Sequence, residues 1–258
     1  MSDHAEIALR LQKARAQSRQ IEPITAGDPG FDLAAGYDVL ERVHRARGSK
    51  PAGRKIGFTN PAMWDRYGVR DPIWGYVYDD TVSSSATCAV GRFTEPRIEP
   101  EIVLHFREAP SAEDPLKAID WVAHAFELVQ SPYPGWKFQA PDAVAGGSLH
   151  AALILGQPMT LAGLGSDPAK TLRDFPVTLL RDGQPVETGK GSNVLGGPIE
   201  AVKHLISLLA TLGHPPLRAG ELVTTGTLTN APAVRAGERW QTQLRDIALP
   251  GLSLELVE

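Results

Sequence analysis

Arg97-Ile98-Glu99-Pro100-Glu101-Ile102-Val103-Leu104-His105-Phe106, set behind Pro96, alternates its side chains between two classes. One set is almost wholly apolar and the other carries Arg, Glu and His. A two-residue period is the mark of a β-strand. Working outward, residues 54–59 and 73–78 read as further strands upstream. Downstream, 121–129 is an apolar run that periodicity alone leaves as strand or helix. Residues 151–155 read as a buried strand. Segments 175–180 and 186–188 flank Asp182-Gly183, a hairpin signal. Residues 222–225, 239–247 and 252–257 close the chain as strands.

Helical signals stand mostly before this region. Residues 4–20 carry Ile7, Leu9, Leu11 and Ala14 between charges, and 31–47 place Leu33, Tyr37, Leu40 and Val43 at spacings of three and four, with Gly48 as a stop. Asn60-Pro61 has the cap-then-proline form of a short helix start. Residues 199–212, behind Pro198, form the one long helical pattern later on. Helices followed by many strands, without regular alternation, indicate an α+β fold. The expected organisation is a helical lobe over 1–50 and a strand-rich catalytic part over 51–258, built as one unit.

Composition narrows the function. The 258 residues carry a formal charge of −4, which gives no basic face for nucleic acid. Hydrophobic residues at 42% and charged residues at 22% are globular proportions. The single cysteine, Cys88, excludes an internal disulfide and a Cys-x-x-Cys zinc site. The first 19 residues interrupt every apolar stretch with charge, so no signal peptide is read there, and no run reaches the ~20 apolar residues of a membrane span. A cytoplasmic protein without membrane or nucleic-acid partners is expected. Gly 25 and Pro 21 exceed the usual ~12% share and fit a turn-rich β protein.

Residues i and i+2 of a strand share a face, so Glu99 and Glu101 project side by side with backbones ~6–7 Å apart. Two such carboxylates repel unless a cation lies between them. Spacing alone leaves open a solvent-facing acidic pair. Glu127 stands among Ala125, Phe126, Leu128 and Val129, where an unpaired carboxylate is costly to bury; an exposed carboxylate on an edge strand is the alternative. Three carboxylates suit Mg²⁺ or Mn²⁺ better than zinc. Pro100 lacks an N–H, which predicts a sheet edge or a bulge. Lys55, in Gly53-Arg54-Lys55-Ile56-Gly57, is placed either to meet a substrate or to snorkel at the surface.

Five segments together resemble the 2-keto-4-pentenoate hydratase / 4-oxalocrotonate decarboxylase family of the fumarylacetoacetate hydrolase superfamily. They are Lys55-Ile56-Gly57-Phe58-Thr59 followed by Asp71-Pro72-Ile73-Trp74-Gly75; Arg97-Ile98-Glu99-Pro100-Glu101-Ile102; Phe126-Glu127-Leu128-Val129-Gln130-Ser131; the run from Gly189 to Pro198; and the run from Ala219 to Thr229. They stand in family order and cover nearly the whole chain. The resemblance implies a mixed β-roll or barrel of the fumarylacetoacetate hydrolase C-terminal type with a helical N-terminal part. It implies Glu99, Glu101 and Glu127 as ligands of Mg²⁺ (or Mn²⁺), Lys55 as the active-site lysine, and substrate contacts at Ile73, Gly146, Gly147, Ser148 and Thr227. The activity implied is a lyase acting on a small 2-oxo or 2-hydroxy-dienoic acid in aromatic-compound catabolism. Decarboxylation, acylpyruvate C–C hydrolysis and a non-catalytic partner subunit are the alternatives. A homo-oligomer, or a complex with a related enzyme, is expected.

The chain also departs from the family pattern. The usual Ala-Asp-Asn reads Ala145-Gly146-Gly147, and Ile73 stands where hydratases often carry Asp. Tyr133-Pro134-Gly135-Trp136-Lys137-Phe138 is closer to the decarboxylase branch, with Lys137 read as a surface residue. Other motifs fail. Gly189-Lys190-Gly191-Ser192 misses the phosphate-loop pattern, and no His-Glu-x-x-His or Gly-x-Ser-x-Gly occurs. His105 shares the parity of Glu101, and His150 lies near the glycine pair; for both, simple packing is the alternative. Glu41 and His44 are the available water activators for a hydrolase, at unsupported spacing.

Overall fold

The computed structural model describes residues 3–61, 64–67, 69 and 71–258. Helix α1 (His4–Ala16) starts at Asp3, whose carboxylate accepts the N–H groups of Ala5 and Glu6. Ile7, Ala8, Leu11 and Ala14 are its buried residues, while Leu9 stays outside at 50% exposure, so the apolar stripe runs through Ala8 instead. The expected break holds a single turn, α2 (Ile24–Gly27). Helix α3 (Leu33–Ala46) is capped by Asp32 and buries Tyr37, Val39 and Leu40. Next comes α4 (Trp64–Tyr67); the two residues linking it to Pro61 lie outside the described ones. Helices α5 (Ala140–Ala145) and α6 (Pro168–Asp174) are short and each has proline in its first turn. Proline there reads as a breaker in sequence but is compatible with a helix start, which is why neither was expected. Helix α7 (Pro198–Thr211) is the expected long one.

Among the described residues, twelve strands form two sheets. They are β1 (Pro51–Gly57), β2 (Ile73–Tyr78), β3 (Val82–Ser83), β4 (Thr87–Ala89), β5 (Arg97–Phe106), β6 (Ile119–Val129), β7 (His150–Leu155), β8 (Pro176–Arg181), β9 (Gln184–Lys190), β10 (Leu222–Thr224), β11 (Arg239–Leu244) and β12 (Ser253–Val257). The large sheet has the order β2-β1-β10-β5-β6-β7-β3 and the small one β4-β12-β11-β8-β9. Pairs β1–β10, β3–β7 and β4–β12 are parallel and the rest antiparallel. The α+β mixture is as expected, and the 121–129 run resolves as a strand. Asp182 and Gly183 both take positive φ (51° and 78°), the requirement of the tight hairpin between β8 and β9.

The sheets pack through one face of β5 and β6. Ile98, Phe126 and Leu128 bury against Leu179, Trp240 and Leu254 of the small sheet. Strand alternation therefore turns Glu99, Glu101 and Glu127 to the opposite face. Val77, Val103, Ala125, Leu153 and Leu222 form a separate apolar cluster within the large sheet. On the N-terminal side, α1 and α3 join Tyr133 and Ala145 in a further cluster. The stretch Gly191–Thr211 (21 residues) holds an 18-residue window with the mean hydropathy (1.2) of a membrane span, yet 44% of that window is buried in the protein. Its α-helix, at 14 residues, spans only ~21 Å.

Pro100 corrects the edge expectation. Strand β5 is internal, between β10 and β6, and no bulge falls at Pro100. Along β5, strand β10 pairs with Val103, Leu104 and His105 and stops short of Pro100. Beyond it, the chain after β10 covers β5 irregularly, and the N–H of Leu228 donates to the Pro100 carbonyl (2.9 Å). The missing N–H of Pro100 thus falls where no regular ladder asks for it.

Candidate metal centre and active site

Glu99 on β5 stands directly opposite Glu127 on β6, and Glu101 lies two residues further on the same face. One carboxylate oxygen from each lies within 4.8 Å of the others. The sheet order places β1 three strand spacings from β6, ~14 Å in a flat sheet. Lys55 Nζ nevertheless reaches Glu127 Oε2 at 2.9 Å. The large sheet is therefore curled, and its inner face gathers the three acids and Lys55. Gly53 permits the close β1–β10 contact: a Cβ there would lie 1.9 Å from the Leu222 carbonyl oxygen.

Each carboxylate has its own environment. Glu127 is wholly buried, which corrects the exposed edge-strand alternative. Its Oε1 lies 2.7 Å from His150 Nδ1, and His150 Nε2 lies 2.8 Å from Thr81 Oγ1. Burial pushes its carboxyl up, but Lys55 and His150 outweigh that and hold it below the usual carboxylate range. Burial also opposes the Lys55 charge, and Glu127, Glu99 and Glu101 together reverse this, so its ammonium titrates above the ordinary lysine value. Glu101 Oε2 accepts from the Gly226 N–H (2.8 Å) and from Thr224 Oγ1, whereas its buried Oε1 has no hydrogen-bond partner. Burial, then repulsion from Glu127 and Glu99, raises Glu101 well above the usual range. Glu99, half-buried at the cavity wall, is pushed up to about 7, chiefly by burial.

These residues fit a hard divalent cation. Three ionised carboxylates facing one ammonium would leave two negative charges in a buried site, which a divalent cation offsets, and Glu101 keeps a buried carboxylate oxygen without a hydrogen-bond partner. All-oxygen donors of this kind suit Mg²⁺ or Mn²⁺.

Beside the acids lies a cavity of ≈ 140 Å³. Lys55, Glu99, Ile73, Ser148 and Thr227 line it, so five of the expected residues meet there. Gly146 and Gly147 do not: they line a different cavity. The cause is local. Gly147, Ser148 and Leu149 take positive φ in succession (77°, 52° and 66°), a turn that carries Ser148 inward, where its Oγ donates to the Trp74 carbonyl (2.6 Å). The glycines stay on the outer side of that turn. Lys137 is exposed, as expected.

From sequence alone, Arg97 had no role of its own. Arg97 lines the cavity with its guanidinium over the Trp136 ring (4.3 Å), and only its place in the Arg97–Ile102 motif marked it. His150 is the direct partner of Glu127, although packing was the alternative read for it. His105 instead pairs with Asp120 (3.2 Å) and stacks on Trp121. Glu41 accepts from the Tyr76 hydroxyl (2.7 Å) and His44 stacks on Tyr76. Neither lines the Lys55 cavity, so the hydrolase alternative loses its water activators.

Comparison with known proteins agrees with this architecture. The family model for the fumarylacetoacetate (FAA) hydrolase C-terminal domain matches residues 76–249. A 2-hydroxyhexa-2,4-dienoate hydratase of Comamonas testosteroni is 31% identical over 245 residues, covering 90% of this chain and 89% of its own. A 4-oxalocrotonate decarboxylase of a Pseudomonas species is 31% identical over 241 residues, covering 90% and 91%. The structure of 4-oxalocrotonate decarboxylase from Pseudomonas putida G7, complexed with magnesium and adipate, superposes with a TM-score of 0.90 at 28% identity, over 98% of this chain and 97% of that one. The chain belongs to the fumarylacetoacetate hydrolase C-terminal family, among its hydratase and decarboxylase lyases.

Proposed function

We propose that this protein is a Mg²⁺-dependent lyase of the 2-keto-4-pentenoate hydratase type, acting on a small 2-oxo or 2-hydroxy-dienoic acid in aromatic-compound catabolism. The observation that carries the reading is the buried cluster of Glu99, Glu101 and Glu127 against Lys55, beside a cavity of small-molecule size. Glu99, Glu101 and Glu127 hold the ion; when bound, Mg²⁺ supplies Lewis-acid stabilisation of charge on the substrate's 2-oxygen. Lys55 Nζ, an ammonium anchored on Glu127, orients the substrate through an anionic oxygen and holds a proton beside it. His150 fixes the Glu127 carboxylate from the other side. Ile73, Trp136 and Phe138 form an apolar wall that excludes water from the carbon skeleton.

That wall also favours a second reading, decarboxylation, because Ile73 brings no acid to activate a water for hydration. Manganese in place of magnesium, and self-association of the chain, belong to the same proposal. Ultraviolet assays with 2-hydroxypenta-2,4-dienoate and with 2-oxohex-3-enedioate, coupled to CO₂ detection, test it. Mg²⁺-dependent loss of the dienoate without CO₂ supports hydration, and CO₂ from the diacid supports decarboxylation. No Mg²⁺-dependent turnover of either substrate contradicts both and leaves the partner-subunit alternative.

A further inference from the structure

A second cavity, of ≈ 330 Å³, lies between the N-terminal helices and the large sheet and shares no lining residue with the Lys55 cavity. Three guanidinium side chains line it, those of Arg15, Arg19 and Arg47, and no acidic residue does. Arg15 and Arg19 form no ion pair among the described residues. Arg15 is exposed overall, but its head turns onto the His150 carbonyl (3.0 Å). Desolvation there, with Arg47 close by, pushes its guanidinium down to about 10. Arg47 binds Asp80 through Nη2 (2.7 and 2.9 Å) and leaves a buried Nε without an acceptor. Leu40, Val43, Tyr76 and Tyr78 give the wall its apolar and aromatic surface, and Gln12, Thr94, Gln130 and His150 add uncharged polar groups.

Gly146 and Gly147 complete the wall. A Cβ built on Gly147 meets no atom within 4 Å, so a side chain there would extend into open space. Glycine at 147 therefore leaves this part of the cavity open.

We propose that this cavity is a binding site for a small carboxylic acid with an apolar or aromatic body. Its carboxylate is held by Arg15 and Arg47, and its body lies on Leu40, Val43 and Tyr76. Charge-assisted hydrogen bonds from guanidinium to carboxylate supply the polar end, and contact with the aliphatic and ring carbons supplies the apolar end. The site requires no metal and does not depend on the lyase reading.

Calorimetric titration of benzoate into EDTA-treated full-length protein tests this. Saturable binding is expected, weakened about tenfold or more by Arg15→Gln and by Gly147→Asn. Gly147 has a φ of 77°, a conformation that asparagine tolerates, and Arg15 lies at the helix surface, so both variants keep the fold, which thermal melts verify. No binding at millimolar benzoate, or binding that either variant leaves unchanged, overturns the proposal.

Discussion

Glu127 has no exposure and keeps its charge because Lys55 and His150 match its two oxygens. Removing one partner of such a pair leaves a buried charge unmatched, which costs several kcal/mol. Strand parity put Glu99 and Glu101 together and apolar neighbours made Glu127 conspicuous, but spacing left exposed alternatives for the acids and for Lys55, and the family resemblance singled out all four. No spacing rule joins residue 150 to residue 127. Their contact depends on the β6–β7 register and on the left-handed turn at 147–149. Glu99 gives a testable sign. Its folded carboxyl lies at about 7, against an ordinary 4.5. Between those values the metal-free folded chain holds a proton that the unfolded chain has released. Stability tied to Glu99 is full below pH about 4.5 and is lost as pH rises through about 7. Thermal melts in EDTA across this range should show the wild type falling relative to Glu99→Gln, with the fall abolished by Mg²⁺. Parallel profiles for the two proteins would sink the assignment.

Strand β5 was read correctly from end to end because its alternation is unbroken, yet its place in the sheet was not. Pro100 predicted an edge or a bulge, and the sheet instead sets it just past the short β10, under the chain that follows. That chain carries Gly226, whose φ of 102° and N–H bond to Glu101 explain a glycine there. A Cβ at Gly226 would fall 1.8 Å from Thr59 Oγ1. Gly226→Ala should therefore cost about 1–3 kcal/mol from backbone strain alone. It should also displace the donor that orients Glu101, lowering Mg²⁺ affinity by about tenfold or more. Denaturant titration reads the first effect and calorimetry the second; unchanged Mg²⁺ affinity in a folded variant would remove the loop from the site. Helices α5 and α6 escaped sequence reading for a matching reason, since each is short and carries proline in its first turn.

At the scale of the molecule, the α+β character followed from helices preceding a strand-rich region. The family resemblance added the β-roll. The division into two sheets did not follow from local patterns, because it depends on pairings between distant segments such as β1 with β10 and β4 with β12. Those pairings do the decisive work. They curl the large sheet until Lys55 and three acids from β1, β5 and β6 converge, while the opposite faces of β5 and β6 bury against the small sheet. The central claim is that this convergence creates a divalent-cation site. Calorimetric titration of Mg²⁺ into the EDTA-treated wild type and into Glu101→Gln, with circular dichroism to verify folding, tests it most directly. A single Mg²⁺ per chain in the wild type, with affinity reduced about tenfold or more in Glu101→Gln, is the predicted result; no binding to the wild type, or equal binding to the folded variant, would contradict it.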